Sequence, residues 1–207
     1  MLPKEIKVII FDLGSVLLKV DYQRTIDSFK KLGMTYPKHY FNVEYNDPIL
    51  DKFEKGLLSE NEFIKKIEMK ISKVCSKKEI IDAWNAMIVE FPEENWLLLN
   101  ELKTKYKLFL MSNTNIIHYN YCQNLVQKKF GVSSLDCIFD KAYYSFVVNM
   151  CKPDINFFKL ILDEQKLITK EIIFFDDNKE NIKTAEKLGI KSIRVQPNSS
   201  LTKYFDL

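Results

Sequence analysis

The sequence predicts an α/β protein, an open parallel sheet covered by helices and interrupted near its start by a long all-helical insertion. Three observations predict it. Apolar runs within residues 8–11, 107–111 and 171–175 read as buried strands, the first covered on both faces, and 191–195 reads as a last strand. Stretches with helical spacing lie between the later runs. Residues 20–95 carry helix signals only, over a length no ordinary strand-to-strand crossover needs.

In order, the first run ends in Asp12, which leads into Leu13, Gly14, Ser15 and a further apolar run, Val16-Leu17-Leu18. Ile26, Phe29 and Leu32 have helical spacing, and Gly33 falls where a helix-ending glycine belongs. Residues 38–46 read as a loop whose aromatics, Tyr40, Phe41 and Tyr45, are candidates for a pocket mouth; His39 has no assigned role. Ile49, Leu50 and Phe53 mark a helix closing at Gly56. Ser59 with Glu62, and Ser76 with Glu79, form capping boxes opening helices over 60–71 and 77–87. Pro92 breaks the second, and 93–102 is a helix carrying Trp96. With no strand expected between them, residues 20–95 read as a helical cap over the end of the first strand, with Trp84 and Trp96 in the cap core. Residues 1–19 and 96–207 then form the α/β core domain.

The α/β pattern resumes with strand 107–111, which ends in Ser112-Asn113-Thr114-Asn115. Helix 117–130 and a short strand near 137–139 follow. The turn Cys151-Lys152-Pro153-Asp154 opens helix 155–164. Strand 171–175 ends in Asp176-Asp177-Asn178, helix 180–188 stops at Gly189, and 191–195 is the last strand.

Composition excludes several classes. At 46% hydrophobic and 29% charged, the 207 residues can bury a sizeable core. The net charge is +3, and lysines alternate with acids, so no basic stripe for nucleic acid exists. Cys75, Cys122, Cys137 and Cys151 stand apart, with no CxxC and no His at zinc spacing, which suits reduced thiols in a cytoplasm. The N-terminus runs straight into the first strand, leaving no room for a signal peptide, and no apolar run spans a membrane. Nothing in the pattern specifies an oligomeric state.

An aspartate at a strand end is most often a solvated turn residue. Asp12 invites chemistry only because other polar groups arrive at the same sheet edge, where open α/β sheets bind ligands. Ser112-Asn113, Lys152 and Asp176-Asp177 all fall at strand ends or turns. Together they suggest phosphoryl transfer through a covalent intermediate, with Asp12 as nucleophile. Attack on an anionic phosphate needs neutralising charge, which Lys152 supplies. The Ser112 hydroxyl and the backbone amides of Leu13, Gly14 and Ser15 can add hydrogen bonds. Two acids beside Asp12 would repel it unless a divalent ion held them, and hard carboxylate oxygens suit Mg²⁺.

The four segments Phe11-Asp12-Leu13-Gly14-Ser15-Val16-Leu17, Ser112-Asn113-Thr114, Lys152-Pro153-Asp154 and Phe175-Asp176-Asp177-Asn178-Lys179-Glu180-Asn181-Ile182 resemble the haloacid dehalogenase superfamily, in particular its sugar-phosphate (glucose-1-phosphate) phosphatase-like branch. Each segment alone is weak, but the four in this order are specific, and the likeness spans nearly the whole chain. The resemblance implies a Rossmann-like core with an inserted cap of the four-helix bundle type. It also implies a Mg²⁺-dependent phosphatase of a small phosphorylated metabolite, such as a sugar phosphate. It makes Asp12, the Gly14 carbonyl and Asp177 the metal ligands. Ser112, Asn113 and Lys152 become phosphate contacts, and Asp176 and Asn181 outer or alternative metal ligands.

One departure matters. The family's usual second aspartate, two residues after the nucleophile, is Gly14 here, so no side chain there can act as general acid and base. Such help is worth roughly 10²–10⁴-fold, and the neutral Ser15 hydroxyl is a poor substitute. The expectation is a preference for acidic leaving groups, such as anomeric or acyl phosphates. His118 reads as a partly exposed helix residue rather than a base. Three alternatives stand beside the phosphatase: a metal-independent dehalogenase using Asp12 on carbon, a phosphoreceiver module, and a catalytically idle binding or regulatory protein. The acidic pair argues against the first, the motif order and the long insertion against the second, and Gly14 leaves the third open.

Overall fold

In the computed structural model, which describes residues 2–38, 48–196 and 199–205, Val8–Phe11 (β1) is the middle of a five-stranded parallel sheet. Lys107–Ser112 (β4) and Ile172–Asp176 (β6) flank it, with Lys141–Tyr144 (β5) and Lys191–Arg194 (β7) outside them, in the order β5-β4-β1-β6-β7. Ile9 pairs with Leu108 on one side and Ile173 on the other. Every β1 side chain is buried, which is why its sequence is apolar without alternation. The strand period of two divides the core. Ile9 and Phe11 join one cluster, with Leu98, Leu99 and Leu102 of helix Glu93–Lys103 and Ile117 and Val126 of helix Ile116–Phe130. Val8 and Ile10 join the other, with Phe157, Phe158 and Ile161 of helix Ile155–Gln165 and Ile182 and Ala185 of helix Lys179–Lys187. Each of these side chains larger than alanine contributes about 1.5–3 kcal/mol on burial.

The chain leaves the sheet after β1 and enters four named helices: α1 (Tyr22–Lys31), α2 (Pro48–Glu54), α3 (Glu60–Glu68) and α4 (Lys77–Asn85). Both capping boxes are formed, Ser59 with Glu62 and Ser76 with Glu79. Phe53 of α2 stacks on Phe63 of α3 at 3.9 Å, and Phe63 meets Trp84 of α4 at 5.0 Å. The helices that return to the sheet are numbered α5 (Glu93–Lys103), α6 (Ile116–Phe130), α7 (Ser145–Val148), α8 (Ile155–Gln165) and α9 (Lys179–Lys187). The loop expected over 38–46, with His39, Tyr40, Phe41 and Tyr45, lies outside the described residues but for Lys38, which is helical.

Three expectations are corrected. The helical stretch is not free of strands: Lys19–Val20 (β2) pairs antiparallel with Ile88–Glu90 (β3) where the chain leaves and returns. Helix α4 therefore ends at Asn85, because the Met87 carbonyl accepts from the Asp21 amide and the branched Ile88 and Val89 extend. The strand expected at 137–139 is a 3₁₀ turn, Leu135–Ile138. The sheet resumes only at Lys141, because Asp140 closes the approach: its carboxylate accepts from the Leu108 amide and its own amide donates to the Leu108 carbonyl. Trp96 stacks on Phe130 of α6 at 4.7 Å, outside the inserted helices.

Candidate active site

Strand β1 sends the chain toward β4 and β5, whereas β6 and β7 lie on its other side, so the crevice beyond β1 and β6 is where this topology opens a site. The Asp12 amide continues the ladder by donating to the Phe175 carbonyl at 2.9 Å, so its side chain emerges at the sheet's carboxyl edge. Asp176 is the last residue of β6 and Ser112 the last of β4.

Lys152 ties these ends together. Its ammonium donates to Asp12 Oδ1 at 2.6 Å, Asp176 Oδ2 at 2.7 Å and the Met111 carbonyl at 2.7 Å. All three protons are used, and the side chain is 1% exposed. A loop residue reaches this position because Asn113 clamps its backbone: Asn113 Nδ2 donates to the Lys152 carbonyl, and the Lys152 amide donates to Asn113 Oδ1, both at 2.8 Å. Asn113 thus serves Lys152 through its side chain, which the sequence reading did not foresee. On the same edge, the Ser145 hydroxyl donates to the Thr114 carbonyl and accepts from the Thr114 amide, both at 2.9 Å.

The acidic pair divides. Asp176 is fully buried and accepts from Lys152, from the Asn178 amide at 2.8 Å and from Asn181 Nδ2 at 3.0 Å on each oxygen. Asp177 instead lines the cavity beside Asp12, with the Ser15 hydroxyl against its carboxylate. Ser15 has a left-handed backbone, φ 59°, which turns the chain sharply after Asp12. The cavity, about 400 Å³, also takes in Leu13, Gly14, Ser112, Asn113, Lys152 and Asn181. Its opposite wall comes from the insertion and α6: Tyr22, Asp51, Glu54, Trp84 and His118. Of that wall the sequence singled out only Trp84 and His118, and for neither did it favour a place in a pocket.

Electrostatics sharpen the roles. Burial pushes the Asp12 carboxyl up to about 7; Lys152 opposes this, and Asp176 and Asp177 add to it. Burial would lower the Lys152 ammonium, but Asp12 and Asp176 more than offset that and hold it above its ordinary value. Asp177 is raised, by burial and then by Asp176. His118 is brought down to about 4 by burial. Its Nε2 lies 3.1 Å from the Trp84 carbonyl, which can only accept, and its Nδ1 lies 3.2 Å from Asn115 Nδ2. Both nitrogens are engaged in one neutral tautomer, so His118 is not a base.

Carboxylate oxygens of Asp12, Asp176 and Asp177 lie within 4.8 Å of one another. Three carboxylates around one ammonium leave a surplus of negative charge that a divalent cation of oxygen preference neutralises, so the donor set fits magnesium.

The sequence pattern of haloacid dehalogenase-like hydrolases matches residues 9–195. The D-ribitol-5-phosphate phosphatase of Bacteroides thetaiotaomicron is 26% identical over 189 residues, 91% of each chain. A solved haloacid dehalogenase family enzyme of the same organism, an aspartate-to-alanine variant in complex with magnesium and inorganic phosphate, superposes with a TM-score of 0.91. It is 33% identical over 98% of this chain and 100% of its own. A hydrolase structure from Porphyromonas gingivalis gives 0.86 at 27% identity, covering 98% and 99%. This chain belongs to the haloacid dehalogenase-like hydrolases. It is therefore a hydrolase, and its carboxylate trio fits magnesium.

Proposed function

We propose that the substrate's phosphate sits between Asp12 and the Ser112–Lys152 side of the cavity, and that its organic part reaches toward the wall built by residues 20–95, acting as a cap domain. One observation carries this reading: the Lys152 ammonium joins Asp12 and Asp176 while Asp177 and Ser112 face the same cavity. An Asp12 oxygen attacks phosphorus, and the bond from phosphorus to the ester oxygen breaks with its electron pair on that oxygen. The departing alkoxide takes a proton from solvent, because Gly14 offers no side chain. Water then attacks the aspartyl-phosphate, releasing phosphate and restoring the carboxylate. Magnesium, held by Asp12, the Gly14 carbonyl and Asp177, would neutralise charge on the phosphate oxygens. Asp176 acts behind them, holding Lys152 in place, with Asn181 donating to it.

A sugar or polyol phosphate is the preferred substrate class. The cavity suits a molecule of that size, and a relative is named for a polyol phosphate. That ester is of a primary alcohol, so it lends no support to a preference for acidic leaving groups. Among the described residues no helix is long and apolar enough to cross a membrane, and the four thiols are free, which supports a reducing cytoplasm.

The test is phosphate release from p-nitrophenyl phosphate and a panel of sugar and polyol phosphates, with magnesium or with EDTA. Turnover is expected with magnesium only, and Asp12→Asn removes it. Turnover unaffected by EDTA or by that substitution overturns the reading. Gly14→Asp settles the leaving-group question: an added Cβ meets only Val20 Cγ2, at 3.7 Å, so a side chain fits. Alkyl phosphates should gain more than aryl ones.

A further inference from the structure

The cavity wall facing the phosphate side carries a carboxylate that phosphoryl transfer does not use. Glu54 ends α2 and lines the cavity with Asp51 and Tyr22. Its place is set by docking against the sheet side of the molecule. Gly56 adopts φ 66° and packs so tightly on the Phe146 backbone that an added Cβ would collide with the carbonyl oxygen. Asn149 Nδ2 donates to the Lys55 carbonyl at 2.7 Å.

Tyr22 feels Asp177, Asp12 and Glu54 together, whereas the charges acting on Asp12 are Lys152, Asp176 and Asp177. Glu54 thus shares the cavity with Asp12 and Asp177 without being among the charges that act most on Asp12. The neighbouring cation offsets it only in part, because Lys55 is paired with Asp51 at 2.7 Å. Among the described residues, the Glu54 carboxylate makes no hydrogen bond. An acid pointed into a site for an anionic ester is costly unless it has neutral donors to meet.

We infer that Glu54, with the Tyr22 hydroxyl beside it, is a specificity element that accepts hydrogen bonds from hydroxyls of a polyol or sugar leaving group and repels substrates carrying a second anionic group. This rests on the phosphatase reading above. A carboxylate offers two oxygens, so adjacent hydroxyls can bind it in pairs. A second phosphate or carboxylate would face it unpaired, and such a mismatch inside a cavity discriminates strongly. Burial, then Asp51, push its carboxyl up to about 7, so the repelling charge is complete only above neutrality and the comparison is made at about pH 8.5.

The experiment uses the full chain with magnesium, comparing wild type, Glu54→Ala, Glu54→Gln and Tyr22→Phe. The substrates are ribitol 5-phosphate, p-nitrophenyl phosphate and fructose 1,6-bisphosphate. For the polyol ester, Glu54→Ala should raise KM about 10–100-fold, the worth of hydrogen bonds to a charged group, with kcat little changed. Tyr22→Phe should raise the same KM less. Turnover of p-nitrophenyl phosphate, which has no hydroxyl to read, should stay within about 2–3-fold and shows that each variant is folded. The bisphosphate should gain in both Glu54 variants, since each lacks the repelling charge. Parallel losses on all three substrates, or an unchanged polyol KM in Glu54→Ala, overturn the inference. No magnesium-dependent turnover by wild type overturns the phosphatase reading, and this inference with it.

Discussion

Lys152 has three ammonium protons and three acceptors, and two of those acceptors are carboxylates. Such a buried pair stabilises little beyond what an apolar replacement would, but breaking it from one side is costly. Replacing Lys152 by Met leaves Asp12 and Asp176 facing each other without the cation. Urea unfolding of the metal-free protein at pH 8 should show a loss of about 3–5 kcal/mol, together with loss of turnover; an unchanged midpoint would mean the lysine is not holding these acids. Glu54 makes the opposite kind of test. Its carboxyl, pushed up to about 7 by burial and then Asp51, lies above the ordinary value of 4.5. A group raised on folding contributes stability that is fully present below the unfolded pKa and lost as pH rises through the folded one. Gln has no such loss, so the stability of Glu54→Gln relative to wild type should climb between about pH 4.5 and 7 and level off above. The rise should be about 1–3 kcal/mol. Asp12, raised in the same direction, is present in both proteins and cancels. A flat difference across that window would place Glu54 in solvent.

Among the elements, the short helix α2 matters out of proportion to its seven residues. It is too short to hold itself together in water, and the stacked Phe53–Phe63 pair and the Gly56–Phe146 contact fix it. Gly56→Ala meets both a left-handed backbone and the Phe146 carbonyl, so it should destabilise the fold by about 1–3 kcal/mol. It should also raise KM for a polyol ester more than it lowers kcat, because it moves the wall and leaves the Asp12–Lys152 edge alone. Equal loss in both would mean that the α2 docking reaches the phosphate side. The starts of α3 and α4 are set differently, by capping boxes made between residues three apart in the sequence.

At the scale of the molecule, one apolar cluster runs from β1 through α5 and α6 into the inserted helices, so sheet and insertion share a core. The carboxylate trio at its edge costs stability until a cation arrives. Magnesium at 100 times its Kd should therefore raise stability by about 2.7 kcal/mol. For a chain of this length that is a Tm increase of about 5–10 °C. Calorimetry with magnesium or EDTA measures it, and Asp177→Ala should remove most of the shift. A wild-type Tm indifferent to magnesium would argue that the trio holds no ion.

Much of this was legible in the residues alone, because it is encoded over short distances. A run such as Val8–Phe11 announces a buried strand, Ser59 with Glu62 announces a helix start, and Asp12, Ser112, Lys152 and Asp176-Asp177 stand at the ends and turns of such elements. What stayed hidden is set by groups far apart in the chain. β3 exists only because β2, some seventy residues earlier, supplies its partner. Asp176 and Asp177 read alike as neighbours, yet successive residues at a strand end point to opposite sides, which gives one to Lys152 and the other to the cavity. Nothing near Glu54 tells that it faces a site. Hydrophobic spacing and capping are properties of a few adjacent residues, whereas the direction a helix presents to a cavity depends on where its end docks, and only the folded chain decides that.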